Sequence, residues 1–180
     1  MKTISVPTDE QVSPETRLIF EKMKKRMGKV PNLYATMGYS EHALKAFLGL
    51  EEQLSGGIFS AKEREAVALA VSEINQCDYC LAGHTQSAIR YGFTLEDTLD
   101  IRRGLTQDPK ITILIQLAQS FTQNQGRADL QLVDNFFSGG YNEAALMELI
   151  GFITVRVFTN YVYAVTKIPI DFPPAAKLGN

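Results

Sequence analysis

The chain has 180 residues, of which 45% are hydrophobic and 21% charged, enough to bury one core but too few for two comfortable domains. We therefore expect a single domain over residues 1–180. Eighteen basic and twenty acidic residues leave a net charge of −2, so no overall positive field favours nucleic acid or an anionic membrane as a partner.

Targeting signals are not evident in the sequence. Residues 1–7 contain no apolar core of a secretory signal. The most apolar stretch, 144–165, is interrupted by Glu148, Arg156 and Asn160, which favours a buried helix over a membrane-spanning one. We therefore expect a cytoplasmic protein with no membrane partner. In that reducing compartment, two cysteines are more typical of catalysis, redox sensing or metal binding than of a structural disulfide.

The first predicted helix begins at Ser13-Pro14, a capping serine followed by proline, and ends at about Met27, before Gly28. Its basic residues recur at helical spacing and are expected on the solvent side, because charge runs of this kind usually mark an exposed face. These residues are Lys22, Lys24, Lys25 and Arg26, with Lys29 just beyond. The residues expected to turn inward are Leu18, Ile19, Met23 and Met27.

Three helices are predicted around the two cysteines. The first starts at Ser40 and closes at Gly56-Gly57. The second begins with a capping box, Ser60 to Glu63, and runs to about Asn75-Gln76. The third opens within the Cys77-Asp-Tyr-Cys80 segment and ends at Gly92.

The rest of the chain also predicts helices, and no segment alternates like a strand. Their expected spans are Thr94 to about Arg103, Asp108-Pro109 to Gly126, about Asp129 to Phe137, and Asn142 to about Thr166. The fold class is therefore all-α. The last helix is apolar on nearly every side and needs cover from its own domain or from a neighbouring subunit, so we expect a homo-oligomer.

The two cysteines stand three residues apart at a predicted helix start. Unpaired backbone N–H groups and the positive end of the helix dipole favour thiolate there, lowering a thiol pKa that starts near ~8.5. A thiolate can attack a hydroperoxide to give a sulfenic acid, which a second thiol converts to a disulfide. The spacing therefore predicts redox chemistry at Cys77 and Cys80.

Two further residues are placed to move protons. His84 follows Cys80 by four residues and Cys77 by seven, so all three share one helix face. Glu65 lies on the preceding helix, and an antiparallel return near Asn75 brings its carboxylate back toward the same sulfur. We expect Tyr79 to serve mainly in packing, with its hydroxyl close enough to hydrogen-bond near the site.

Metal and haem sites do not fit this spacing. A c-type haem needs a histidine directly after the second cysteine, where Leu81 stands. A structural zinc needs four ligands, and only the distant His42 or a carboxylate is left to complete the set. No βαβ setting for a thioredoxin-like fold is predicted. We therefore expect no cofactor and no metal.

The pattern Glu65-x(11)-Cys77-x-x-Cys80-x-x-x-His84, followed by Gly92-Phe-Thr and an acidic helix start, resembles the AhpD-like alkylhydroperoxidase core of the carboxymuconolactone decarboxylase superfamily. The core resemblance covers about residues 44–103. Val30-Pro31-Asn32 and the segment from Asn160 to Asp171 look like the peroxidase-related branch. Some members of the family carry a histidine where Tyr79 stands, and this chain departs from them there.

This resemblance implies an all-α bundle of about seven to eight helices that assembles as a trimer or hexamer. It implies that Cys80 is the peroxidatic cysteine and Cys77 the resolving one, with Glu65 and His84 as the proton relay. It also implies a hydroperoxide substrate and a dithiol reductant, either a lipoyl-type carrier or a thioredoxin-like protein. The predicted function is therefore thiol-dependent, antioxidant reduction of hydroperoxides.

Two alternatives stay open. One is a decarboxylase-type enzyme of the same superfamily, whose known members work without a Cys-x-x-Cys, so that the cysteine pair argues against it. The other is a non-enzymatic redox sensor, in which the pair only switches shape. A sensor would react with peroxide once and would not cycle.

Overall fold

A computed structural model describes residues 3–179, and no strand is found within that range. A short 3₁₀ turn at Asp9–Gln11 precedes nine α-helices in this part of the chain, so the all-α prediction is confirmed. Their bounds are α1 Pro14–Met27, α2 Asn32–Met37, α3 Glu41–Ser55, α4 Ala61–Ile74, α5 Asp78–Arg90, α6 Leu95–Arg102, α7 Pro109–Gln123, α8 Leu130–Ser138 and α9 Glu143–Thr166.

Side-chain caps explain why the predicted helix starts agree with the structure. Ser13 accepts a hydrogen bond from the Thr16 N–H at the start of α1, and Ser60 and Glu63 form a reciprocal capping box at α4. At the other end of α1, Gly28 has a φ of +79°, a left-handed conformation that glycine adopts without steric cost. These local signals involve neighbours in sequence, and the sequence alone therefore located them.

Helix α2 was not predicted, and it raises the helix count above the seven to eight expected. It has only six residues, and no side chain caps its N-terminus, where Pro31 stands. Short helices of this kind carry too little periodicity to be recognised. Helix α2 brings Leu33 and Tyr34 to the cavity that Cys80 also lines.

The inward face of α1 was predicted only in part. Met23 is buried, together with Thr16 and Phe20, and the basic residues are exposed as expected. Leu18 is 57% exposed and Met27 44% exposed, so their inward placement was wrong. Residues 16, 20 and 23 follow the helical period, whereas position 18 lies about 200° around the helix from position 16.

Helices α4 and α5 form an antiparallel hairpin at the centre of the bundle. Helix α4 packs against α5, α6, α7 and α9, and its alanines at 66, 68 and 70 are almost fully buried. The turn between the two helices contains Gln76, with a φ of +51°. Asn160 on α9 accepts a hydrogen bond from the Asn75 side chain at 2.8 Å, which ties this turn to the long helix. The predicted return of the chain near Asn75 is confirmed.

Helix α9 is long and apolar enough to cross a membrane by length and composition. It nevertheless packs within the bundle, against α3, α4 and α7. Three polar residues of α9 face the rest of the domain. Glu148 accepts a hydrogen bond from the Ile58 N–H at 2.7 Å, and both Arg156 and Asn160 are buried. One side of α9 is still uncovered, with Met147, Tyr161 and Val165 each at least 60% exposed.

Candidate active site

The cysteine pair lies at the start of α5, as the sequence predicts. Cys77 is the N-cap residue, and its sulfur accepts a hydrogen bond from the Cys80 N–H at 3.3 Å. A disulfide joins the two residues, whose Cα atoms are 5.3 Å apart. Both side chains are almost completely buried. The Cys80 N–H at the start of α5 therefore points at the Cys77 sulfur, and the first turn of a helix is an environment that favours a thiolate when the pair is reduced.

The two predicted proton carriers are in direct contact. Nδ1 of His84 lies 2.7 Å from Oε2 of Glu65, and the contact joins α5 to α4 across the hairpin. The two side chains are about one-fifth exposed, so water reaches them only partly. A carboxylate in this position fixes the orientation of the imidazole.

Arg156 on α9 completes the surroundings of His84, although the sequence pattern marks it only as an interruption of an apolar helix. Its Nη1 lies 3.2 Å from Nε2 of His84. Arginine has no acceptor, so Nε2 must carry the lone pair and Nδ1 the proton, which is donated to Glu65. The arrangement therefore describes a neutral His84 with a defined tautomer.

Arg156 also forms an ion pair with Glu51 on α3. Burial lowers the pKa of Arg156 to about 10, which leaves the guanidinium charged at neutral pH. The guanidinium thus links α9 to α3 and α5. The sequence contained one sign of this role, an arginine within an otherwise apolar predicted helix. A charged residue in such a position is seldom buried unless it has a partner.

Cys80, His84, Glu65 and Arg156 line one cavity of about 230 Å³. Cys77 is not among the residues that line it, so a small molecule in the cavity would meet Cys80. Tyr34 of α2 also lines the cavity. Burial raises the pKa of Tyr34, so the group remains a phenol that can donate to a ligand.

Tyr79 turns out to hold the C-terminal segment rather than to join the proton relay. Its hydroxyl accepts a hydrogen bond from the Leu33 N–H at 3.1 Å and donates one to Asp171. Burial and the bond to Asp171 raise the pKa of Tyr79, so the phenol stays the donor. Asp171 also pairs with Lys29 at 2.8 Å, and the adjacent Phe172 lines the cavity. The C-terminal segment therefore forms part of the cavity wall.

We expect the change Tyr79→Phe to loosen this segment. It removes a hydrogen bond to a partly buried carboxylate and leaves the Leu33 N–H without its acceptor, at a cost of about 1–2 kcal/mol. Hydrogen exchange should become faster in residues 168–176. The control is Tyr39→Phe, which removes an exposed hydrogen bond to the Ser5 carbonyl and should change little. Unchanged exchange in Tyr79→Phe would contradict the anchoring role.

Across residues 3–179, no three His, Cys, Asp or Glu side chains are grouped closely enough to hold an ion. The chemistry that the described residues can supply is that of a thiol pair, a neutral imidazole with its carboxylate, a buried guanidinium and a phenol.

Comparison with known proteins supports the sequence resemblance. Residues 41–124, from α3 to α7, match the model of the carboxymuconolactone decarboxylase family. This stretch contains Glu65, both cysteines and His84, but neither Tyr34 nor Arg156. None of the curated proteins matches the chain significantly.

Several solved structures have the same fold. An uncharacterized peroxidase-related protein from Silicibacter sp. TM1040 is 22% identical, with a TM-score of 0.78 over 97% of this chain and 94% of that one. An uncharacterized peroxidase-related protein with an alkylhydroperoxidase AhpD core, from Ralstonia eutropha JMP134, is 17% identical, with a TM-score of 0.79 over 94% of this chain and 90% of that one. A cysteine-to-alanine variant of the debrominase Bmp8, in complex with 2,3,4-tribromopyrrole, is 20% identical. Its TM-score is 0.79 over 95% of this chain and 93% of that one.

Proposed function

We propose that the chain is a member of the AhpD-like carboxymuconolactone decarboxylase superfamily and that it is a thiol-dependent hydroperoxidase. The observation that carries the proposal is the position of Cys80. It stands in the first turn of α5 and lines a small cavity together with the hydrogen-bonded Glu65 and His84. A nucleophile, a base and an orienting carboxylate in one cavity fit an activated-thiol mechanism.

In the first step, the Cys80 thiolate attacks one oxygen of the hydroperoxide, and the O–O bond breaks. The departing alkoxide takes up a proton and leaves as an alcohol, while Cys80 becomes a sulfenic acid. The thiol proton passes to the hydrogen-bonded pair of Glu65 and His84 and from there to the alkoxide. The Tyr34 phenol is available to donate a hydrogen bond to the bound peroxide.

In the second step, Cys77 attacks the sulfenic sulfur, an S–S bond forms and hydroxide leaves as water. An external dithiol, either a lipoyl-type carrier or a thioredoxin-like protein, then supplies two electrons by exchange and leaves as a disulfide. The disulfide seen between Cys77 and Cys80 corresponds to the oxidised form of this cycle.

A steady-state assay tests the proposal. The reduced protein is mixed with an excess of tert-butyl hydroperoxide and dihydrolipoamide, and peroxide loss is followed. We expect many equivalents of peroxide to be consumed per chain. Consumption of a single equivalent would mean a redox sensor, and no consumption by the reduced protein would overturn the proposal.

Reductive debromination is a second candidate, since the fold is shared with the debrominase Bmp8 over almost the whole chain. Replacing bromine by hydrogen on an aromatic ring takes two electrons, which the oxidation of the two thiols to a disulfide supplies, and releases bromide. Bromide release from 2,3,4-tribromopyrrole, with no turnover of hydroperoxide, would favour this alternative.

We also propose that the protein is a homo-oligomer, a trimer or hexamer, and that the uncovered side of α9 lies in the interface. Met147, Tyr161 and Val165 recur at helical spacing there, and beside them lies an apolar groove of about 270 Å³ lined by Phe121 and Val157. Exposed apolar patches of this kind are typical of interaction sites.

Val165→Glu is expected to shift the oligomer toward smaller species, because it places a charge in an apolar interface. Size-exclusion chromatography with light scattering measures the mass. Leu18→Glu, which places the same charge at an exposed leucine on α1, is the matched control and should not change the assembly. A wild-type protein that is monomeric at micromolar concentration would contradict the proposed assembly.

A further inference from the structure

Two arginines line the cavity without an acidic partner. Arg64 on α4 and Arg90 on α5 both border it, and neither forms an ion pair with a carboxylate in the described part of the chain. Nη1 of Arg64 donates hydrogen bonds to the backbone carbonyls of Phe59, at 2.7 Å, and Ser55, at 3.2 Å. These bonds fix the guanidinium and leave its remaining N–H groups for a ligand.

Both arginines lie toward the same end of the cavity, away from the disulfide. Cys80, His84, Ser87 and Arg90 all line the cavity from α5, and ten residues of helix place the Cα of Arg90 about 15 Å from that of Cys80. Because α4 and α5 are antiparallel, with Glu65 beside His84, Arg64 near the start of α4 lies toward the C-terminal half of α5. The cavity thus has a redox end and a cationic end.

The charges of the lining residues favour an anion. Arg156 forms an ion pair with Glu51. Glu65 accepts a hydrogen bond from Nδ1 of His84, whose imidazole is neutral in this tautomer. Three arginines face two glutamates, so the cavity carries one net positive charge in a protein whose overall charge is −2. The side chains of Gln86 and Ser87 add uncharged hydrogen-bonding groups at the cationic end. Arginine in this setting is suited to binding carboxylates.

We propose that the preferred substrate is a short hydroperoxide bearing a carboxylate, which Arg64 and Arg90 bind while the O–O group lies beside Cys80. This inference rests on the proposed hydroperoxidase function and names its substrate class. A cavity of about 230 Å³ accommodates a short chain rather than a long lipid. The carboxylate lowers the free energy of binding, and it orients the peroxide along α5 toward the sulfur.

The test compares a short ω-hydroperoxyalkanoic acid with its primary amide, which has nearly the same shape but no charge. We expect kcat/KM to be about tenfold higher or more for the acid, and the advantage to fall as salt rises. Arg90→Gln and Arg64→Gln should each lower the ratio of acid to amide by about threefold to tenfold. Arg90 is exposed, so its variant keeps the test valid if Arg64→Gln destabilises the fold. The matched control is Arg127→Gln, an exposed arginine outside the cavity, which should leave the ratio unchanged.

Equal kcat/KM for the acid and the amide, or a ratio that Arg90→Gln does not alter, would overturn the inference. A parallel assay varies the reductant between dihydrolipoate and dihydrolipoamide. If only dihydrolipoate shows an arginine-dependent advantage, the subsite serves the reductant, and the assignment to the peroxide is wrong.

Calorimetric measurement of hexanoate and hexanamide binding tests the carboxylate subsite independently of the hydroperoxidase function. If no hydroperoxide is turned over but hexanoate binds and Arg90→Gln weakens it, the carboxylate subsite stands while the hydroperoxidase function fails. If hydroperoxides are turned over but hexanoate binds no better than hexanamide, the function stands and the carboxylate preference fails.

Discussion

Replacing Cys80 with serine is expected to lower hydroperoxide turnover by about a thousandfold or more, to the background rate. A serine hydroxyl at this position has a far higher pKa than a thiol and cannot act as a comparable nucleophile toward the O–O bond. The substitution changes one atom in a buried position, so the fold should be retained. The measurement is peroxide consumption with dihydrolipoamide as the electron donor, with circular dichroism to confirm the helices.

Cys77→Ser is the matched control, because it makes the same atomic change three residues earlier and outside the cavity lining. This variant should still consume one equivalent of peroxide rapidly and then stall, since Cys80 can form a sulfenic acid that no resolving thiol removes. The assignment of roles would be reversed if Cys80→Ser reacted with one equivalent of peroxide while Cys77→Ser remained inert.

Replacing Arg156 with methionine is expected to lower the free energy of unfolding by about 2–3 kcal/mol. Removing one member of a buried ion pair leaves the other charge without compensation, which in full burial costs about 3–5 kcal/mol. Glu51 is 28% exposed, so water partly solvates it and the cost is reduced. The change also takes away the hydrogen bond to Nε2 of His84. Urea denaturation followed by circular dichroism measures the effect.

The double variant Glu51→Gln with Arg156→Met tests the reason for that loss. If the cost comes from an uncompensated carboxylate, the double variant should be more stable than the sum of the two single changes predicts. Arg103→Met provides a comparison, since Arg103 and its partner Asp100 are each more than one-third exposed and ion pairs near the surface contribute about 0–1 kcal/mol. Additive effects at Glu51 and Arg156 would show that the ion pair is not the source.

The parts of the fold that could be predicted are those that local sequence signals determine. Ser60 with Glu63, and Thr94 with Asp97, cap their helices through residues three positions apart, so the pattern alone located both starts. The contact between Glu65 and His84 was also within reach, because a single tight turn separates their helices. In each case the interacting residues lie on one helix or on adjacent ones.

The parts that could not be predicted depend on long-range contacts. Arg156 is 72 residues from His84, and Asp171 is 92 residues from Tyr79. No periodicity in the sequence relates such positions, because the bundle packing alone brings them together. For the same reason, Tyr34 on the unpredicted α2 could not be placed in the cavity. The sequence therefore indicated the redox centre, whereas the structure was needed for its cationic and phenolic surroundings.

Mass spectrometry of the Cys77→Ser variant tests the central claim most directly. The reduced variant is treated with one equivalent of hydroperoxide, and its sulfenic acid is trapped with dimedone and located by peptide mapping. We expect rapid, nearly complete labelling at Cys80, and no labelling when Cys80 is also replaced by serine. A Cys80 that stays unmodified while the peroxide persists would contradict the proposal that this thiol is the peroxide-reducing nucleophile.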